Sequence, residues 1–584
     1  MIDARIKTIL RKRFEIPKAH SLTKALSSFS LTEKVIFWMF AVVFVGSGLL
    51  LLIQVNNTFL VTVPDKGGEL VEGIIGSPRF VNPLLAISDA DKDIVSLVYS
   101  GLLKATPDGK LIPDLAESYT ISEDGKTYDF ILKSEGKFHD GVPVTASDIE
   151  FTISKIGDPA LKSPKRASFD GVIVEKVNEQ EIRFTLKQAY APFLENTTIG
   201  ILPKHIWKNV APEEFAFSDY NISPIGSGPY VVKSVGRNNA GIPNSYTLHS
   251  FSDYTLNEPY ITKMNLRFYS NAGDLATALD QGDVDSVSGL SPDIVKELVK
   301  KGKQELDTTL PRVFALFFNQ NQAPLFANKE VRQALTIATN KESIVTNILH
   351  GYGTVIDGPM PPRVMFESHT TASSSEERIV AAKDLLEKNG WIMSTETGIY
   401  EKKDSSKATT LLSFTLATGD APELRAVAEQ LKSDYAKIGA ELTLEIFESG
   451  SLNQNIIRPR KYDALLFGVI VGRDHDLYPF WHSSQRNDPG LNIALYVNNT
   501  ADKLLEQARA TNDETARNQT YDLFEKEIRN DVPAVFLYSP SFLYVVPKKV
   551  SNIQIGNLTT NADRFLTIQE WYIETNKVWK LFTQ

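Results

Sequence analysis

The sequence predicts a mixed α/β protein held outside the cell by one membrane-spanning helix. Three observations lead to that reading. An uncharged run from Val35 to Ile53 is long enough to cross a bilayer, and beyond it stretches of strand periodicity alternate with capped helical stretches. The chain also has 584 residues, 42% of them hydrophobic, which at roughly 100–200 residues per domain predicts two to four folded units rather than one core.

As a helix rising 1.5 Å per residue, the run Val35–Ile53 spans about 28 Å, close to the ~30 Å hydrocarbon core. The first 34 residues carry Arg5, Lys7, Arg11, Lys12, Arg13, Lys18, Lys24 and Lys34, while the segment after the run is nearly neutral. The positive-inside rule therefore keeps 1–34 cytoplasmic and places everything beyond about residue 54 outside. A cleaved signal peptide has a short basic leader, a 7–15-residue apolar core and a small-residue cleavage site, and none of these is present, so an uncleaved anchor is expected.

Strands are predicted where apolar residues alternate: Tyr128, Phe130 and Leu132; Ile182, Phe184 and Leu186; Leu442, Leu444 and Ile446. Thr145-Ala-Ser-Asp148 reads as a capping box ahead of Ile149 and Ile153, and Ser291-Pro292 as an N-cap with proline in the first turn. Asp420-Ala-Pro-Glu423 reads as a second box. Leu424, Val427, Leu431, Tyr435 and Ile438 then follow at helical spacing, and Gly439 closes the helix before the Leu442 strand, a helix-to-strand unit of an α/β domain. The polar stretch His369–Glu377 is expected as a surface loop before a helix Ile379–Lys388.

Composition excludes several chemistries. The net charge is −9 although the leader is basic, so the exported part is acidic and lacks the basic stripe that nucleic acid requires. Cysteine is absent, which removes disulfides, zinc–thiolate sites, iron–sulfur clusters, thiol nucleophiles and an N-terminal lipidated cysteine. No H-E-x-x-H, P-loop, G-x-S-x-G or Rossmann glycine motif occurs. Gly226-Ser227-Gly228 lies between Pro224 and Pro229 and reads as a turn, and His475 and His482 lack metal-ligand spacing. No cofactor, metal or catalytic residue is expected.

An ordered series of short blocks does carry a signal. Asn82-Pro83 is followed by Leu97-Val98-Tyr99-Ser100-Gly101-Leu102, then by Ile112-Pro113-Asp114-Leu115-Ala116-Glu117-Ser118. Next come Asp124-Gly125-Lys126-Thr127-Tyr128, Lys137-Phe138-His139-Asp140-Gly141, and Pro224-Ile225-Gly226-Ser227-Gly228-Pro229-Tyr230. Lys329-Glu330-Val331-Arg332-Gln333-Ala334, Gly390-Trp391 and Asp531-Val532-Pro533 complete the series. Over about residues 70–575 it resembles the extracellular solute-binding proteins of dipeptide and oligopeptide ABC importers, the family 5 type. Read locally, His139 is a structural histidine in a turn and Arg332 a surface or interdomain ion-pair residue.

The resemblance implies a two-lobe periplasmic-binding-protein-like fold with an extra subdomain in lobe I. By motif order the chain divides into a leader 1–34, a transmembrane helix 35–53 and a linker 54–68. Lobe I takes 69–307, with its extra subdomain at 101–199, lobe II takes 308–540, and 541–584 return to lobe I. Such lobes close on ligand by hinge motion. The implied function is a monomeric, membrane-anchored subunit that captures short peptides and presents them to ABC permease and ATPase subunits. The same scaffold carrying a nickel chelate, haem, an oligosaccharide or a signalling peptide is the alternative, and an extracellular enzyme a remote one.

The segment Tyr462–Ser484 runs from an apolar strand into a loop dense in glycine, aspartate and aromatics, the profile of a binding edge on a rigid sheet. In the resembled family this loop carries an aspartate that meets the peptide's terminal ammonium. Counted back from Pro479 that position falls on His475, so Asp474 or Asp476 is expected to take the role, with Tyr478, Phe480 and Trp481 as apolar walls.

Overall fold

The computed structural model describes residue 23 and residues 26–362, 374–403, 409–473 and 475–582. Two compact units divide the chain, one made of its two ends, up to Asp65 and from Thr575, and the other comprising Lys66–Glu574.

In the smaller unit the apolar run lies within a helix Leu31–Phe59, longer at both ends than the run itself and with no buried residue. Ser30 and Glu33 form a capping box at its start. The expected linker 54–68 holds the helix's last turns and a strand, Leu60–Pro64, which pairs antiparallel with Thr575–Trp579. The last residues of the expected return to lobe I are therefore taken up by this hairpin-like pair.

The larger unit is built on one long mixed sheet. Its path runs through Glu441–Phe447, Ser413–Gly419, Ala464–Ile470, Arg312–Phe318, Ala534–Val546, Ser286–Ser288, Glu69–Ile75, Lys263–Tyr269, Pro243–Ser250 and Tyr230–Arg237. The 13-residue strand Ala534–Val546 is shared: its first half pairs with Arg312–Phe318 and its second with Gln304–Thr309 and Ser286–Ser288. The pairing changes partner at Leu310-Pro311 and again at Pro540, where proline cannot donate to a ladder.

Strand Arg312–Phe318 shows why lobe II needs helices on both faces. Val313, Ala315 and Phe317 enter one hydrophobic cluster while Leu316 and Phe318 enter another, so alternate residues feed two cores and the strand reads as an unbroken apolar run. The helix Pro422–Lys437 covers one face, burying Val427, Leu431 and Tyr435, each worth about 1.5–3 kcal/mol. Its N-cap is Ala421 with proline in the first turn, so the expected Asp420 box does not form. Gly439 follows in the left-handed region at φ 69°, and the chain returns as Glu441–Phe447 parallel to Ser413–Gly419.

Of the other local expectations, the strands and helix of the 101–199 segment fall as read, while the polar stretch and Arg332 differ. Tyr128, Phe130, Ile182 and Phe184 face the core of a four-stranded sheet within 101–199, covered by the helix Ala146–Gly157 with its Thr145–Asp148 box. Of the polar stretch 369–377, residues 369–373 lie outside the described residues, and Ser374 caps a helix Ser375–Lys388. Arg332 is a correction. It is buried and donates to the carbonyl oxygens of Phe326, Asp531 (2.7 Å) and Val532 (2.9 Å), so it ties segments together through backbone rather than through an ion pair.

Candidate functional site

The Gly226-Ser227-Gly228 turn positions one wall of the site by close approach. A Cβ on Gly226 would lie 2.0 Å from the Val98 carbonyl oxygen, and the Gly228 amide donates to that same oxygen at 2.8 Å. His139 braces the turn, its Nδ1 accepting from the Gly226 amide at 3.3 Å and its Nε2 lying 3.0 Å from the Gly228 carbonyl. Burial pulls its pKa down to about 4, which keeps the ring neutral and structural, as read.

A buried charge cluster positions a second wall. Arg564 is fully buried and reaches Glu72 at 3.0 Å and Asp93 at 2.6 Å and 2.8 Å, and Tyr544 donates to Glu72 at 2.8 Å. Burial pushes both carboxyls up and Arg564 opposes it. This lock fixes the turn Asn561–Phe565 against the helix Asp89–Val98, and so sets Asp563 in place.

Between these walls lies a cavity of about 400 Å³, within the range of small-ligand sites. Lys92, Tyr99, Lys165, Glu195 and Asp563 line it, and Gly472 and Arg473 come from the segment singled out by sequence. Arg473 pairs with Glu195 at 3.0 Å and Asp563 at 2.7 Å, joining segments far apart in sequence. Burial raises the Glu195 carboxyl while Arg473 opposes the rise. Among the described residues Lys92 and Lys165 have no ion-pair partner. More than a third of Lys165 reaches solvent, yet the protein around its ammonium, and Lys92 beside it, hold its pKa below the usual lysine value. The cavity therefore holds two lysines without an ion-pair partner among the described residues, beside an arginine whose two terminal nitrogens are paired.

The loop singled out by sequence sits partly elsewhere. Asp474 lies outside the described residues. Asp476 is buried and held by Arg509, whose Nε lies 3.0 Å from both carboxylate oxygens and whose Nη2 lies 2.5 Å from one; the Tyr190 hydroxyl is 3.4 Å away. The Arg509 guanidinium stacks 3.9 Å from the Tyr478 ring centre, and Tyr478 stacks on His482. His475 takes φ 54° and lines a gap of about 20 Å³ beside Leu310 and Pro311. Trp481 is buried in the lobe II core against Phe317, Tyr496 and Phe536, and Phe480 packs partly buried against the same core. Sequence reasoning missed Lys92, Lys165, Glu195, Arg473 and Asp563. Only Arg473 lay in the segment it singled out, next to Asp474. Among the described residues no group of three or more His, Asp or Glu is arranged to hold a metal ion.

This fold has counterparts. Residues 110–490 match the bacterial extracellular solute-binding proteins, family 5 (middle). The oligopeptide-binding protein AppA of Bacillus subtilis is 32% identical over 522 residues, which covers 87% of this chain and 92% of AppA. The chain belongs to this family. A solved structure of AppA in complex with a nonapeptide superposes with a TM-score of 0.67 at 29% identity, covering 88% of this chain and all of that one. NikZ of Campylobacter jejuni in complex with Ni(L-His) superposes with a TM-score of 0.69 at 26% identity, covering 86% of this chain and 99% of NikZ. As a family 5 protein the chain is an extracellular two-lobe substrate-binding protein of an ABC importer and not an enzyme.

Proposed function

We propose that this solute-binding protein is a monomer anchored in the cytoplasmic membrane by residues 35–53, with 1–34 inside the cell. On this reading it captures short peptides between lobe I (69–307 and 541–584) and lobe II (308–540) and delivers them to ABC permease and ATPase subunits. The supporting observation is the cavity, with two lysines at one wall that have no ion-pair partner among the described residues. A peptide carries one carboxylate terminus and one ammonium terminus, and Lys92 and Lys165 suit the former. An extended backbone can also pair like an added strand, which gives affinity with little demand on side chains.

The changes of strand partner at Leu310-Pro311 and Pro540 support two hinge crossings there, about which the lobes close as ligand contacts favour the closed state. The loop Asp474–Trp481 supplies the other end of the site. Asp476 is already neutralised by Arg509, which leaves Asp474 as the first choice for the ligand's ammonium and Asp476 as the second. On this reading Tyr478, Phe480 and Trp481 serve as the apolar walls beside that ammonium, and His475, which lines the gap beside Leu310 and Pro311, lies next to them in the loop.

Calorimetry of Asp474→Asn and Asp476→Asn with a free and an N-acetylated peptide tests this reading. One variant should lose affinity for the free peptide by about thirtyfold or more and barely change for the acetylated one. If the unmodified protein binds no peptide but binds a nickel–histidine chelate, the cargo is the chelate, as the likeness to NikZ allows.

A further inference from the structure

Besides the helix Leu31–Phe59, the smaller unit holds a strand pair with an exposed aromatic and aliphatic tip. We propose that the C-terminal segment Thr575–Leu581 is a second membrane contact, which lays Trp579 and Leu581 into the headgroup layer of the leaflet where the helix Leu31–Phe59 emerges. The proposal rests on the reading of that helix as an anchor.

The depth follows from helix geometry. The uncharged run ends at Ile53, and at 1.5 Å per residue Asn56 lies about 4–5 Å beyond it and Phe59 about 9 Å. A bilayer about 40–45 Å thick around a ~30 Å core leaves about 5–8 Å of headgroup layer on each side. The Trp579 indole reaches back to the depth of Asn56: its Nε1 donates to Asn56 Oδ1 at 2.8 Å and its ring centre is 6.3 Å from that of Phe59, while its backbone pairs with Leu60 just past the helix end.

Direction follows from the register. Pro64 pairs with Thr575 and Leu60 with Trp579, so the C-terminal strand runs back toward the helix, and Lys580 and Leu581 follow its end in a short 3-10 turn. Trp579 is 46% exposed and Leu581 81%, beside Phe59 at 53%. In water these are costly exposures. At the membrane–water boundary an indole with its N–H satisfied and a lysine beside it are favoured, since the ring sits among the headgroups and the ammonium reaches water. Continuity with the helix is what selects lipid as the occupant, because the patch begins where the apolar run leaves the bilayer.

Because the chain has no cysteine, single labels report cleanly. The full chain is reconstituted in phosphatidylcholine/phosphatidylglycerol vesicles as three single-cysteine, spin-labelled variants: Val43→Cys in the helix, Asn576→Cys at the far end of the strand, and Leu581→Cys. Collision with oxygen and with a water-soluble nickel chelate is measured for each. The expected result is a lipid-like signature at 43, an aqueous one at 576, and nickel-chelate access at 581 several-fold below that at 576. If 43 is lipid-like while 581 matches 576, the second contact is refuted and the anchor stands. If 43 is aqueous, the anchor reading fails and this proposal falls with it.

Discussion

Arg473 is the group whose loss should tell most about how the lobes hold together. Replacing it by Met keeps the stem and removes the fork that joins Glu195 and Asp563, leaving two carboxylates facing each other at the cavity wall. Removing one partner of a buried ion pair costs about 3–5 kcal/mol. Here the Arg473 side chain is only 7% exposed, but Glu195 and Asp563 are 23% and 17% exposed and can rewet. That recovery, with the raised Glu195 pKa easing protonation, brings the estimate to about 2–3 kcal/mol against the interlobe contact, or roughly 30- to 150-fold in the closed-to-open ratio. Small-angle scattering of the ligand-free protein should show a larger radius for Arg473→Met, and calorimetry a peptide affinity weaker by a comparable factor. Glu195→Gln added to that variant should recover part of the loss by removing one of the stranded charges. An Arg473→Met protein with unchanged radius and unchanged affinity would refute the reasoning.

Two further outcomes are expected. His139 has its pKa pulled down from 6.5 to about 4, so it is neutral in the fold while the unfolded chain protonates near 6.5. Its contribution is fully present above pH 6.5 and is lost progressively as pH falls to about 4, up to about 3 kcal/mol in all. Urea unfolding at pH 7.5 and 4.5 should show a smaller difference for His139→Gln than for the unmodified protein, and equal differences would show that another group carries the slope. Trp481→Ala should cost about 3–5 kcal/mol of stability, because its indole is buried among Phe317, Tyr496 and Phe536. Unchanged stability with lost peptide affinity would instead make Trp481 a wall of the binding site.

What the sequence determined by itself is what depends on near neighbours. The uncharged run Val35–Ile53, the Thr145–Asp148 box, the helix that buries Val427, Leu431 and Tyr435, and the alternating Tyr128 and Phe130 are all periods or caps within a turn or two, and each was legible. The ordered blocks likewise identified the scaffold. Ion-pair partners were not legible, because nothing in local spacing says which distant charge will face a given one. Asp476 looked like a free carboxylate until Arg509, 33 residues on, was brought against it. Arg473 meets Glu195 across 278 residues and Asp563 across 90, and Trp579 meets Asn56 across 523. Tertiary structure alone decided those pairings, and with them which charges line the cavity already paired and which, as Lys92 and Lys165 do, have no ion-pair partner among the described residues.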